Sequence, residues 1–170
     1  YQRTGTPIHP MSPLSKIFWM RHEEPEIFKQ TAMFADLKTY VLFQLYERFV
    51  IDYSLGSATG MMNLEQLDWD NKALELLGIE RNQLPQLVPT THVLTGMKKR
   101  YATLMGIDEQ TPVIVGASDG VLSNLGVNSY QKGEVAVTIG TSGAIRTVIN
   151  RQKQTRRGVL SVIFSIKINM

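Results

Sequence analysis

Leu14, Ile17 and Phe18 follow Ser12-Pro13 at helical spacing, and Arg21 completes the same face. Apolar positions three and four apart share one side of an α-helix and pack inward. Ser is a favoured N-cap and Pro suits the first helical position, so this helix opens at Pro13. Pro25 opens a second, short helix by the same rule. Residues 31–35 read as a buried strand. Asp36 caps a longer helix reaching about Glu47, with Leu37, Tyr40, Val41 and Leu45 as its inward stripe. Phe49-Val50-Ile51 reads as a short strand, and residues 52–63, rich in Gly, Ser and Thr, as a loop. Asp70 caps a helix over 71–77 that Gly78 stops. Leu84-Pro85 and Val88-Pro89 interrupt regular structure, and a helix over 97–105 closes at Gly106.

The pattern carries most information over residues 112–143. An apolar run, 112–116, predicts a strand that ends just before a lone acid, Asp119, and a helix runs from that acid to about Leu125. Two further strands, 134–139 and 144–149, are joined by the tight turn Gly140-Thr141-Ser142-Gly143. Open α/β sheets place their chemistry at the carboxyl ends of buried strands, which makes Asp119 a candidate. On spacing alone it reads equally well as an N-cap. A Gly-flanked Thr-Ser turn offers backbone N–H groups and hydroxyls that suit phosphate oxygens, although Gly and Ser are also ordinary turn residues. One acid and one phosphate cradle in a common cleft imply phosphoryl transfer to a hydroxyl. There is no P-loop and no G-x-G-x-x-G, so two commoner phosphate folds find no support. Alternating helices and strands place the chain in the α/β class.

Composition narrows the partners. The 170 residues suffice for one domain with a sizeable core. No stretch approaches the ~20 apolar residues of a membrane-spanning helix, and no secretory h-region opens the chain, which points to the cytoplasm. Without cysteine there is neither a disulfide framework nor thiolate chemistry. His9, His22 and His92 are far apart and have no acid at metal-ligand spacing, so no zinc site is expected. The net charge of +3 is misleading. Residues 151–170 hold five of the 18 basic residues and no acid, and the other 150 residues carry a net charge of −2. A short basic terminus is not the basic face that nucleic-acid binding needs.

Several segments resemble the FGGY carbohydrate kinases, in the order that family shows them. They are Thr4-Gly5-Thr6-Pro7-Ile8-His9-Pro10-Met11-Ser12-Pro13 with Lys16 and Trp19; Asp52-Tyr53-Ser54-Leu55-Gly56-Ser57-Ala58-Thr59-Gly60; Asp68-Trp69-Asp70; Leu84-Pro85; Gly116-Ala117-Ser118-Asp119; and Gly140-Thr141-Ser142. The run from Thr6 to Pro13 resembles the gluconate-specific members. The resemblance implies a ribonuclease-H-like, actin-type ATPase domain, with residues 1–150 as the later part of the family's N-terminal domain. Residues 151–170 are then an atypical basic and apolar tail, read as a truncated or frame-shifted end. A start at Tyr1 without Met marks part of a longer protein.

The resemblance implies ATP-dependent phosphorylation of gluconate to 6-phosphogluconate in the longer parent, with Mg²⁺ arriving alongside ATP. Xylulose or glycerol as acceptor, and a non-catalytic fragment or actin-like binding module, are the alternatives. Asp119 is then the general base, and Gly140, Thr141, Ser142 and Gly143 hold nucleotide phosphates. Met11 stands where glycerol-specific relatives place a sugar-pocket aromatic, and His9 lies nearby. Gly120 replaces a polar amide of other relatives, so another side chain must supply that contact to substrate. The implied partners are a small sugar or sugar acid and, in the parent, a second copy of the chain.

Overall fold

The computed structural model describes residues 2–141 and 143–148. Four two-stranded sheets are interleaved with seven α-helices among these residues. The N-terminal part holds α1 (Pro13–Glu23), α2 (Pro25–Gln30), α3 (Leu37–Tyr46), β1 (Val50–Asp52) and α4 (Tyr53–Ala58). Next come the antiparallel pair β2 (Met62–Asn63) and β3 (Asp68–Trp69), then α5 (Asn71–Leu77) and β4 (Gln86–Val88). The rest holds β5 (Val93–Leu94), α6 (Lys99–Met105), β6 (Val113–Ile114), α7 (Asp119–Gly126) and the hairpin β7 (Val135–Ile139) and β8 (Gly143–Thr147).

β1 explains how the core is divided. It pairs in parallel with β4, Val50 opposite Gln86 and Asp52 opposite Val88. Parallel strands are typically covered on both faces. Side chains alternate along a strand, so Val50 enters one core with Leu42, Tyr46, Val88 and Leu94, and Ile51 enters another with Ile17, Met62, Trp69 and Leu77. The chain then delivers Asp52 to the carboxyl end of β1, where it is fully buried.

The caps fall as predicted at three helices. The Ser12 hydroxyl accepts the Ser15 N–H, Asp36 accepts that of Thr39, and Asp70 accepts those of Lys72 and Ala73. Gly78 and Gly106 close α5 and α6 in the left-handed region.

Four segments depart from the expected pattern. The strand expected over 112–116 shrinks to Val113–Ile114, which among the described residues pairs only with β5, antiparallel, and leaves Ile114 exposed. Residues 31–35 form no strand. Their backbone is satisfied by Gln83, whose side-chain amide donates to the Thr31 carbonyl at 2.9 Å and whose carbonyl accepts the Phe34 N–H at 2.8 Å. In α3 the stripe of Leu37, Tyr40 and Val41 is exposed, and Thr39, Leu42 and Tyr46 face inward. The polar Thr39 sits on the buried face, its hydroxyl within hydrogen-bond reach of both Asp36 Oδ2 (2.7 Å) and the Val50 carbonyl (3.0 Å). Residues 53–58 are a short helix, not a loop, because Asp52 caps them. Trp69 is core, its indole N–H donating to the Pro85 carbonyl at 2.9 Å, whereas Trp19 is exposed. No helix among the described residues is long and apolar enough to cross a membrane. The expected tail at 151–170 lies outside the described residues.

Candidate active site

Lys38 and Ser54, both bonded to the buried Asp52, hold the backbone that leads into Asp119. Lys38 of α3 donates from Nζ to Asp52 Oδ2 at 2.6 Å and to the carbonyl of Gly116 at 3.3 Å. Asp52 Oδ1 accepts the N–H groups of Ser54 (2.9 Å) and Leu55 (3.2 Å) and also the Ser54 hydroxyl. With its proton committed to Asp52, the Ser54 oxygen faces Ser118 as an acceptor and takes the Ser118 N–H at 2.8 Å. A buried carboxylate is tolerable only when paired and hydrogen-bonded, and Asp52 meets both conditions. Such a pair adds little net stability, because desolvation offsets its attraction. What it fixes is geometry: the carboxyl end of β1 and the segment 116–118 become one unit.

Asp119 itself is exposed at the first turn of α7. The cap position belongs to Ser118, so Asp119 is not the N-cap. Its Oδ1 accepts the Gly120 N–H at 2.6 Å, and Oδ2 has no partner among the described residues. A negative charge in the first helical turn is also favoured by the helix dipole.

Gly120 is buried, and the guanidinium of Arg146 lies against it. A Cβ at Gly120 would stand 3.4 Å from Arg146 Nε, in ordinary van der Waals contact, so only a longer side chain there would meet the guanidinium. Arg146 projects from β8 opposite the small, buried Ala136. Its Nη1 donates to the Thr138 hydroxyl at 3.0 Å, and it forms no ion pair among the described residues.

The turn expected to hold phosphates follows β7, with Ile139 registered against Gly143. Gly140 and Thr141 are exposed, and no described residue bonds the Thr141 hydroxyl. Ser142 lies outside the described residues. His9 and Met11 are both exposed, and His9 Nδ1 accepts the Met11 N–H at 3.1 Å. Their loop is tied to the far end of α4: the Thr6 hydroxyl donates to the Ser57 carbonyl at 2.7 Å, and the Leu14 N–H to that of Thr59 at 3.0 Å. α4 therefore links this loop at one end to the Asp119 segment at the other, while no hydrogen bond joins His9 or Met11 to Asp119.

The remaining acids of the matched segments are occupied. Burial pulls the Asp70 carboxyl up, but the Arg3 guanidinium (2.6 Å), the Ala73 N–H and the Asn63 amide outweigh it and hold the carboxyl below the usual aspartate value. The Arg81 side chain beside Asp68 lowers that carboxyl too, at the surface. No group of three or more His, Asp or Glu side chains able to hold a metal occurs among the described residues.

Neither Lys38 nor Arg146 stands out in the sequence. Asp52 carries the signal that singled out Asp119, an acid closing an apolar run, but it folds inward to a lysine.

The sequence profile of the FGGY family of carbohydrate kinases, N-terminal domain, matches residues 1–126. A gluconokinase of Bacillus subtilis is 56 % identical over 158 residues, which is 93 % of this chain and 31 % of that protein. A gluconate kinase from Lactobacillus acidophilus superposes with a TM-score of 0.90 at 39 % identity, covering 93 % of this chain and 32 % of that one. A ligand-bound structure described as a xylulose kinase, also from Lactobacillus acidophilus, gives the same values. The chain thus spans about a third of the length of the relatives it matches.

Proposed function

Because the chain belongs to the FGGY family of carbohydrate kinases, with the actin-like ATPase fold of that family, we propose that the full-length protein carrying it transfers the γ-phosphoryl group of ATP to the terminal hydroxyl of gluconate. The observation that carries the reading is Asp119: an exposed carboxylate with one unpartnered oxygen, on a segment pinned by Ser54 and Lys38. In the transfer, the acceptor O–H bond breaks and its proton passes to Asp119 Oδ2. The freed oxygen bonds to the γ-phosphorus, and the bond to the ADP oxygen breaks. General bases of this kind contribute about 10²–10⁴-fold. Little covalent chemistry falls to the protein, so positioning dominates. The open Thr141 hydroxyl and the turn amides suit the nucleotide's phosphate oxygens, while His9 and Met11 are candidate acceptor contacts.

Mg²⁺ accompanies ATP in this reading. The described residues form no acidic cage, and Asp52, Asp68 and Asp70 are each committed to a cation. No Mg²⁺ ligand is therefore assigned to this chain. The cytoplasm is the proposed compartment.

The xylulose kinase description of one close structural neighbour supports a second reading, with a pentulose as acceptor. An ADP-release assay of the full-length protein over gluconate, xylulose and glycerol separates the two. Gluconate should show the highest kcat/KM; a pentulose in first place would overturn the substrate assignment and leave the kinase class standing.

A further inference from the structure

We propose that Arg146 anchors the carboxylate of the acceptor and so selects a sugar acid over a neutral polyol or ketose; this rests on the gluconate kinase reading above. Three observations converge. The guanidinium lies against Gly120, the residue next to Asp119, and Gly120 has no side chain to displace it. Its Nη1 is steadied by the Thr138 hydroxyl at 3.0 Å, which orients the fork without neutralising it. Arg146 lies against the residue next to Asp119, yet among the described residues it forms no ion pair with Asp119 or with any other acid. A cation held half-buried, oriented and uncompensated beside an exposed base is matched to an anionic molecule.

Carboxylate and phosphate oxygens both suit a guanidinium fork. Contact with Gly120, the neighbour of the proposed base, favours the carboxylate. Arg146 pairs with Ala136, three residues along the ribbon from the turn end, where Ile139 faces Gly143. At roughly 3.4 Å per residue its backbone is about 10 Å from the turn end, and its guanidinium bonds Thr138 while lying against Gly120, the neighbour of the proposed base. Lysine would supply the charge but not the planar fork.

The test uses the full-length protein with gluconate, with glucitol (the neutral hexitol lacking the carboxylate) and with ATP varied separately. In Arg146→Gln, kcat/KM for gluconate should fall by about 10- to 100-fold, the worth of a hydrogen bond to a charged group. The value for glucitol and the KM for ATP should stay within a few-fold of wild type. Arg146→Lys, which keeps the charge but not the planar fork, should give a smaller loss of the same gluconate-selective kind. This second variant guards against a fold defect peculiar to the first. Parallel losses for both acceptors, or a raised KM for ATP with gluconate unaffected, would overturn the assignment. A gluconate-selective wild type whose variants keep that selectivity would overturn it alone. A wild type that takes glucitol as readily as gluconate would overturn the substrate reading, and this assignment with it.

Discussion

The hydroxyl of Ser54 accepts the backbone N–H of Ser118 at 2.8 Å, joining two segments 64 residues apart. Ser54 can accept there because its own proton goes to the buried Asp52, which Lys38 neutralises. One residue beyond Ser118 stands Asp119. The placement of the proposed base is thus decided at the carboxyl end of β1, by residues that need not touch substrate.

Removing that acceptor should be felt in turnover. Ser54→Ala leaves the half-buried Ser118 N–H without its partner, at a cost of about 1–3 kcal/mol. In the full-length protein kcat should drop by about 10- to 100-fold, the range expected for a small misplacement of a reacting group. The gluconate KM should change less. Asp52→Ala should be harsher, about 3–5 kcal/mol, because it strands Lys38 in a largely buried setting. Thermal melting and steady-state kinetics on the two variants check both expectations.

Acid should weaken the fold through Asp70. Its carboxyl titrates below the usual value when folded, so the unfolded chain binds more protons as the pH falls. The stability Asp70 contributes is present above the unfolded value of about 3.9 and is lost as the pH drops through the lower, folded one. Denaturant melts between pH 6 and pH 3 should show wild type losing stability faster than Asp70→Asn over that acid window. Parallel pH curves would show that Asp70 contributes nothing to it.

Much of this was legible wherever a local signal and the burial pattern agreed. α5 is one case: Asp70 before it, Gly78 after it, and Ala73, Leu74 and Leu77 on the buried side. Asp119 is a partial case: the apolar run leads to an exposed acid on a helix, but its strand is only Val113–Ile114, with Ile114 exposed. The errors lie where a tertiary partner overrode the local pattern. Thr39, with its hydroxyl partnered inside by Asp36 and Val50, takes the buried face of α3 and leaves Leu37 and Val41 outside. Gln83, 52 residues downstream of Thr31, satisfies the segment read as a strand at 31–35. The Gly- and Ser-rich composition of residues 52–63 outweighed a cap signal at Asp52 that was present in the sequence. Arg146 could not have been placed beside Gly120 without knowing how the hairpin packs on α7.

Leu77 probes the core behind β1. It is fully buried among Ile17, Ile51 and Trp69. Leu77→Ala should cost about 2–5 kcal/mol, the range for a buried leucine truncated to leave a cavity. A calorimetric or denaturant midpoint on the full-length protein reads it, and a loss under 1 kcal/mol would show that this core closes over the gap.

The most direct test of the account is kcat for Asp119→Asn in the full-length protein, with gluconate and ATP saturating. The side chain is exposed and bonded only to its neighbour's N–H, so the melting temperature should hold. Turnover should fall by about 10²–10⁴-fold. A variant that folds normally and turns over within a few-fold of wild type would remove Asp119 from the mechanism and contradict the account.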